Sequence, residues 1–372
     1  MRKLLVTNLL VLAGLLALAE VMAALVAQRH GEPLAVVRLA RRLKRSIPST
    51  TLDSSQSCSR QTSWSPNTPY RPHPTLGYWY QPNSRHTATI QLPHTIERQG
   101  IQGAVDSYRW SITTGPQGER LSRPATANNL SEPAVLLLGD SFIFGAGLSD
   151  NASLAWQLQS LLPNRPVSNY AGGGFGTVHQ WLTLRDANST QSLIPPAVRE
   201  QLKGGHVLLG HADYYLKRNV AAPSRLKTFN PRCGSFQQQL QRQPELAQAY
   251  THPRAELLNG ELKISQIRLF QDHSGPDPDR THQRKVTIAL VNALLQEVEA
   301  LDATPMVLWL RGSDDSVVIA HYRQRGVAVL DLRGKSNLWI NDNLEPFDNH
   351  PGPLSTTHWA AQIAEKLTLK AP

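Results

Sequence analysis

Only two cysteines, Cys58 and Cys233, occur in 372 residues. The chain can close at most one disulfide, so it is not one of the small secreted folds held by several. No internal repeat is present, and beyond the N-terminus no run is apolar enough to enter lipid. The glycine-rich stretch Gly172-Gly173-Gly174 has no Gly-Lys-Ser/Thr downstream, which sets it apart from a phosphate loop. His179, His206, His211 and Asp213 match no metal-ligand spacing. No metal and no organic cofactor is expected.

The exception at the N-terminus runs from Leu4 to Val26, preceded by Arg2 and Lys3 and interrupted only by Thr7, Asn8 and Glu20. It is long enough to span a bilayer. It reads as a signal anchor or signal peptide over residues 1–28, with Ala17-Leu18-Ala19 as a small-residue cleavage pattern. The net charge of +10 is concentrated nearby, because residues 1–50 hold eight basic side chains against two acidic ones. A basic stretch of this kind suits anionic headgroups, and nucleic-acid binding is not expected. By the positive-inside rule the same cluster favours a cytosolic C-terminal side. The signal-like position and a cysteine pair that permits one disulfide favour export, and the expectation is a membrane-anchored protein with a periplasmic or extracellular catalytic domain.

Residues 29–69 read as a basic juxtamembrane stretch and a Ser, Thr, Pro and Gln linker. Residues 70–131 alternate short β-prone runs with Pro and Gly, which suggests a small β-rich preamble. From 132 to 372 the pattern becomes apolar runs at 134–139, 166–170, 206–211, 305–311 and 327–332. Amphipathic segments at 153–162, 177–190, 281–302, 315–325 and 354–369 separate or follow them. Continuous apolar strands alternating with helices imply a five-stranded parallel sheet covered on both faces. An insertion at about 214–280 is long for such a fold. Within it, Asn259-Gly260 signals a hairpin, and Lys217, Arg218, Arg225, Lys227 and Arg232 either face an anionic or glycan substrate or form a solvated loop.

In parallel sheets chemistry sits beyond the carboxyl ends of the strands. Gly139-Asp140-Ser141 follows the first run and offers a nucleophile at a strand-to-helix turn, or simply a helix N-cap. After the second run, Asn169 to Gly176 brings glycine backbone that can serve as an oxyanion donor or a tight turn. After the fifth run, Asp348-Asn349-His350-Pro351 supplies an imidazole near neutral pH and a carboxylate two residues before it.

These blocks, with Gly210-His211-Ala212-Asp213 between them, resemble the SGNH or GDSL hydrolase family over residues 133–370. The resemblance implies a flavodoxin-like three-layer fold, a triad of Ser141, His350 and Asp348, and an oxyanion hole from the Ser141 and Gly174 amides. Two positions depart from the family pattern. Ala212 stands where the family has an oxyanion asparagine, a donor whose loss typically costs about a hundred- to a thousandfold in rate. Position 347, where the family places its aspartate, is Phe347, which leaves Asp348 as the carboxylate. The expected activity is ester hydrolysis on a glycan or small ester. The alternatives are O-acyl transfer through the same serine and a silent carbohydrate-binding module.

Overall fold

The computed structural model describes residues 61–91, 107–122, 132–185, 192–229, 236–334, 342, 344 and 349–368. The N-terminal apolar segment, Cys58, Cys233 and Asp348 lie outside the described residues. Among the described residues no helix is long and apolar enough to cross a membrane.

The chain opens with β1 (Gln61–Ser65), β2 (Tyr70–His73), β3 (Gly77–Tyr80), β4 (Arg85–Gln91) and β5 (Ser107–Thr113). β1, β4 and β5 form an antiparallel sheet, and β2 and β3 form a hairpin. The linker expected to reach residue 69 therefore yields to a strand at Gln61. Its Ser and Thr side chains look linker-like, yet Trp64 is buried edge-on against Trp110 at 5.9 Å.

The second part contains β6 (Val135–Leu138), α1 (Ser141–Phe144), α2 (Leu154–Leu161), β7 (Val167–Asn169), α3 (Thr177–Arg185), α4 (Pro196–Leu202) and β8 (His206–Ala212). The insertion follows with α5 (Tyr215–Asn219), α6 (Pro223–Leu226), α7 (Gln237–Arg242), β9 (Thr251–Leu258) and β10 (Glu261–Arg268). The chain ends with α8 (Arg280–Ala300), β11 (Thr304–Arg311), α9 (Val317–Gln324), β12 (Ala328–Asp331) and α10 (Pro353–Thr368).

The central sheet is parallel in the order β12-β11-β8-β6-β7. All four residues of β6 are buried, as a strand covered on both faces requires. α2 packs with α10, and α3 packs with α8. α8 places Val286, Leu290, Leu294 and Val298 on one buried stripe at the i, i+4 spacing of a helix face. Its N-terminus is capped by Asp279, whose carboxylate accepts the His282 amide at 2.9 Å. Counted along this sheet alone the order is 2-1-3-4-5, and the chain reverses direction between β6 and β8. Ligands in such sheets bind at that reversal, and Ser141 follows β6 by three residues.

Residues 58–372 form one compact unit, and the preamble packs into it. Trp79 from β3 is fully buried between Tyr170, stacked at 6.5 Å, and Phe175, stacked at 5.7 Å. Arg120 is also buried. It donates to the carbonyls of Phe144, Gly145 and Leu148 at 3.4, 3.3 and 2.8 Å and pairs with Asp150. The orphan carbonyls at the end of α1 are thus satisfied by a residue from the preamble. Asn259 and Gly260, with φ of 52° and 83°, make the expected turn of the β9–β10 hairpin. Among its described residues the insertion forms α5, α6, α7 and the β9–β10 hairpin, and it supplies part of the lining of the cavity that Ser141 borders.

Candidate active site

The cap that the Gly139-Asp140-Ser141 turn offers falls to Asp140 and not to Ser141. Asp140 is the N-cap of α1: its backbone is extended and its Oδ1 accepts the Phe142 amide at 3.0 Å. Ser141 is then the first helical residue, and no described group takes its hydroxyl. Asp140 is fully buried, which would be costly for a lone carboxylate. Its Oδ2 accepts from Tyr214 Oη at 2.6 Å and Arg218 Nη1 at 3.0 Å. Burial, and then the Asp140 charge, push the Tyr214 hydroxyl well above its ordinary range, so it remains a neutral donor.

Ser141 borders a cavity of about 540 Å³ that His350, Gly174, Tyr214, Arg218 and Arg225 also line. The size suits a small organic ligand. His350 sits edge-on to Phe142 with centroids 5.4 Å apart. Its loop is held where the Leu344 amide donates to the His350 carbonyl at 3.0 Å. Asp342 ties the same loop to α10 through the Gly352 and Ser355 amides at 2.8 and 2.6 Å. Ser141 and His350 line one cavity without a hydrogen bond between them. Catalytic hydrogen bonds often tighten only once substrate is bound.

The glycine loop after β7 is fixed bond by bond. The Ala171 amide goes to Asn169 Oδ1, Gly172 to the Gly139 carbonyl, Gly173 to Tyr80 Oη, Phe175 to the Gly172 carbonyl and Gly176 to His179 Nδ1. Among the described residues the Gly174 amide has no acceptor, and the same holds for the Ser141 amide. Two residues lining the cavity thus keep unused amide donors. Gly174 has φ of +82°, and a Cβ there would stand 2.6 Å from Tyr78 Oη and 2.9 Å from Arg225 Nη2. Only glycine fits. Buried Asn169 joins the two halves of the site, its Nδ2 donating to the Ile143 carbonyl at 3.0 Å.

The structure brings Ser141, Gly174 and His350 to one cavity, whereas Asp348 lies outside the described residues. Ala212 is fully buried and lines no part of the cavity, and Asp213 turns away to accept from Ser313 and Ser316. His211 does not fill the place of the missing donor either, since its ring packs against Tyr215 and Tyr322. Sequence reasoning missed Tyr78 and Tyr80. The Tyr78 hydroxyl donates to the Gly173 carbonyl at 2.6 Å, and Tyr80 accepts from the Gly173 amide at 3.1 Å. Burial raises the pKa of both phenols. Nothing in a Gly-Tyr-Trp-Tyr strand announces that its side chains hold a loop more than ninety residues away.

No family model matches the sequence, and no curated protein does. Solved structures do resemble it, among them the following three. A protein described as lipolytic, of the G-D-S-L family, from Desulfitobacterium hafniense is 14% identical with a TM-score of 0.33, covering 63% of this chain and 99% of that one. A psychrotrophic esterase from Pseudoalteromonas, in a structure inhibited by monoethylphosphonate, is 12% identical with a TM-score of 0.35, covering 64% and 100%. A member of the lipolytic G-D-S-L family from Veillonella parvula is 12% identical with a TM-score of 0.32, covering 64% and 99%. At such scores the likeness adds no weight, and the functional reading rests on the site.

Proposed function

We propose that the chain is a serine-dependent ester hydrolase of the SGNH type, with Ser141 as nucleophile, His350 as base and Asp348 as the carboxylate that orients it. The observation that carries the reading is the division of labour at the end of β6. Asp140 caps the helix, so the Ser141 hydroxyl and amide are both left at the cavity. Ser141 Oγ attacks the ester carbonyl carbon as its proton passes to His350. The carbonyl oxygen becomes an oxyanion between the Ser141 and Gly174 amides. The alcohol leaves with the proton from His350, and water, activated by the same imidazole, then cleaves the acyl-serine.

The substrate is an ester-bearing glycan or small molecule. Acyl transfer through the same serine is the second reading, favoured by the cavity's aromatic lining, which includes Trp64, Trp110 and Phe236 and could seat an acceptor alcohol in place of water. The N-terminal segment would anchor the protein in a membrane with this site on the periplasmic or extracellular side. A neutral fluorophosphonate probe tests the chemistry, since labelling requires an activated serine. Ser141→Ala is expected to abolish labelling and turnover of short aryl esters, and unchanged ester turnover in that variant would sink the assignment.

A further inference from the structure

Three arginines, Arg218, Arg225 and Arg311, line the cavity, and no described Asp or Glu does. They are not equivalent. The Arg218 charge is met by Asp140 at 3.0 Å, and its Nη1 also donates to the Phe175 carbonyl at 2.6 Å. Arg225 has no carboxylate partner among the described residues. Its guanidinium lies 4.5 Å over the Phe229 ring, its Nη1 donates to Thr228 Oγ1, and its Nε is buried without an acceptor. Burial, and then the nearby Arg218 charge, press its pKa down to about 10, which still leaves it cationic near neutrality. A cation of this kind, repelled by its neighbour and short of acceptors, gains from an anion that supplies both a countercharge and acceptors. Its Nη2 stands beside Gly174, the proposed oxyanion donor.

We propose that Arg225 is a substrate-recognition residue that binds an anionic group, carboxylate or phosphate, carried by the ester that Ser141 attacks. The proposal rests on the esterase reading and narrows its substrate class. With Nη1 engaged by Thr228, Nη2 beside Gly174 offers its two N–H groups to the oxygens of either anion. Its place in the cavity that Ser141 borders holds that anion a short distance from the reacting carbonyl, so an acidic sugar or acidic small-molecule ester fits and a plain lipid ester does not.

The experiment compares phenyl acetate with 4-acetoxybenzoate and 4-acetoxyphenyl phosphate as substrates of the full chain. Wild-type kcat/KM is expected to favour an anionic ester over the neutral one by about tenfold or more, the range of a charge-assisted hydrogen bond. Whichever of the two anions is favoured identifies the group. Arg225→Gln should collapse that ratio to near unity, and Arg225→Lys should retain part of it. Fluorophosphonate labelling reports whether each variant is folded around its serine. A ratio near unity in the wild type overturns the proposal, as does an equal fall for neutral and anionic esters in Arg225→Gln, which would place the guanidinium on the reacting carbonyl. Absence of labelling and of all ester turnover would instead defeat the esterase reading. Calorimetry of 4-acetoxybenzoate against Ser141→Ala then decides the anion site alone: binding lost on adding Arg225→Gln supports it, and no binding refutes it.

Discussion

A methyl group at position 174 has nowhere to go, since Tyr78 Oη and Arg225 Nη2 already occupy the space and the backbone sits at positive φ. Gly174→Ala is therefore expected to move the loop and misdirect its free amide. Loss of one oxyanion donor lowers kcat by about a hundred- to a thousandfold, and strain at positive φ costs on the order of 1 kcal/mol or more. In the proposed role of oxyanion donor the effect should fall on kcat far more than on KM, because such an amide meets charge that exists only in the transition state. A variant with wild-type kcat would remove Gly174 from the oxyanion hole. His350→Ala should lower kcat by at least the 10²- to 10⁴-fold typical of a lost general base. Steady-state kinetics on an aryl ester reads it, and a loss below tenfold would point to another base.

At the scale of the element, what couples the preamble to the site is β3. Trp79 is enclosed between Tyr170 and Phe175, and Trp79 Nε1 donates to the Gln117 carbonyl at 2.7 Å. Trp79→Ala is expected to cost about 3–5 kcal/mol, as for other buried aromatics. It should also depress activity, because the flanking Tyr78 and Tyr80 hold the Gly173 backbone. Urea unfolding followed by intrinsic fluorescence measures the first effect and ester turnover the second; full stability with full activity would show the hairpin to be dispensable. The same contacts explain which parts of the molecule were legible in the sequence. The five central strands were readable because strands buried on both faces are continuous apolar runs, and their carboxyl ends led to Ser141, Gly174 and His350. β1 was not, because one buried tryptophan among Ser and Thr carries no period. Arg120, Tyr78 and Tyr80 were not legible either, because their partners lie across the fold and no local pattern records such pairing.

At the scale of the whole molecule, buried histidines make the fold acid-sensitive, His179, His252 and His211 among them. His179 Nδ1 accepts the Gly176 amide at 3.1 Å and its Nε2 has no partner. Its ring stacks on Phe175 at 4.1 Å and meets His252 edge-on at 4.9 Å. Burial, followed by the charge His252 would carry, holds its pKa well below the ordinary value, and Arg218 and Arg225 add to the effect. His252 is lowered to about 3 by burial and then Arg225, and His211 to about 4 by burial. All three titrate near 6.5 once unfolded, so below that pH the unfolded chain binds more protons than the folded one. Stability is therefore complete above about pH 6.5 and falls as the pH drops towards the folded values, by about 1.4 kcal/mol per pH unit for each histidine. For His179 the loss has a mechanical side as well, since a protonated Nδ1 can no longer accept from Gly176 and the glycine loop must open. Melting temperatures measured from pH 7.5 to 4.5 should decline steadily below 6.5. His179→Gln should flatten that decline while keeping an acceptor near Gly176, and an unaltered slope in this variant would assign the acid sensitivity to other groups.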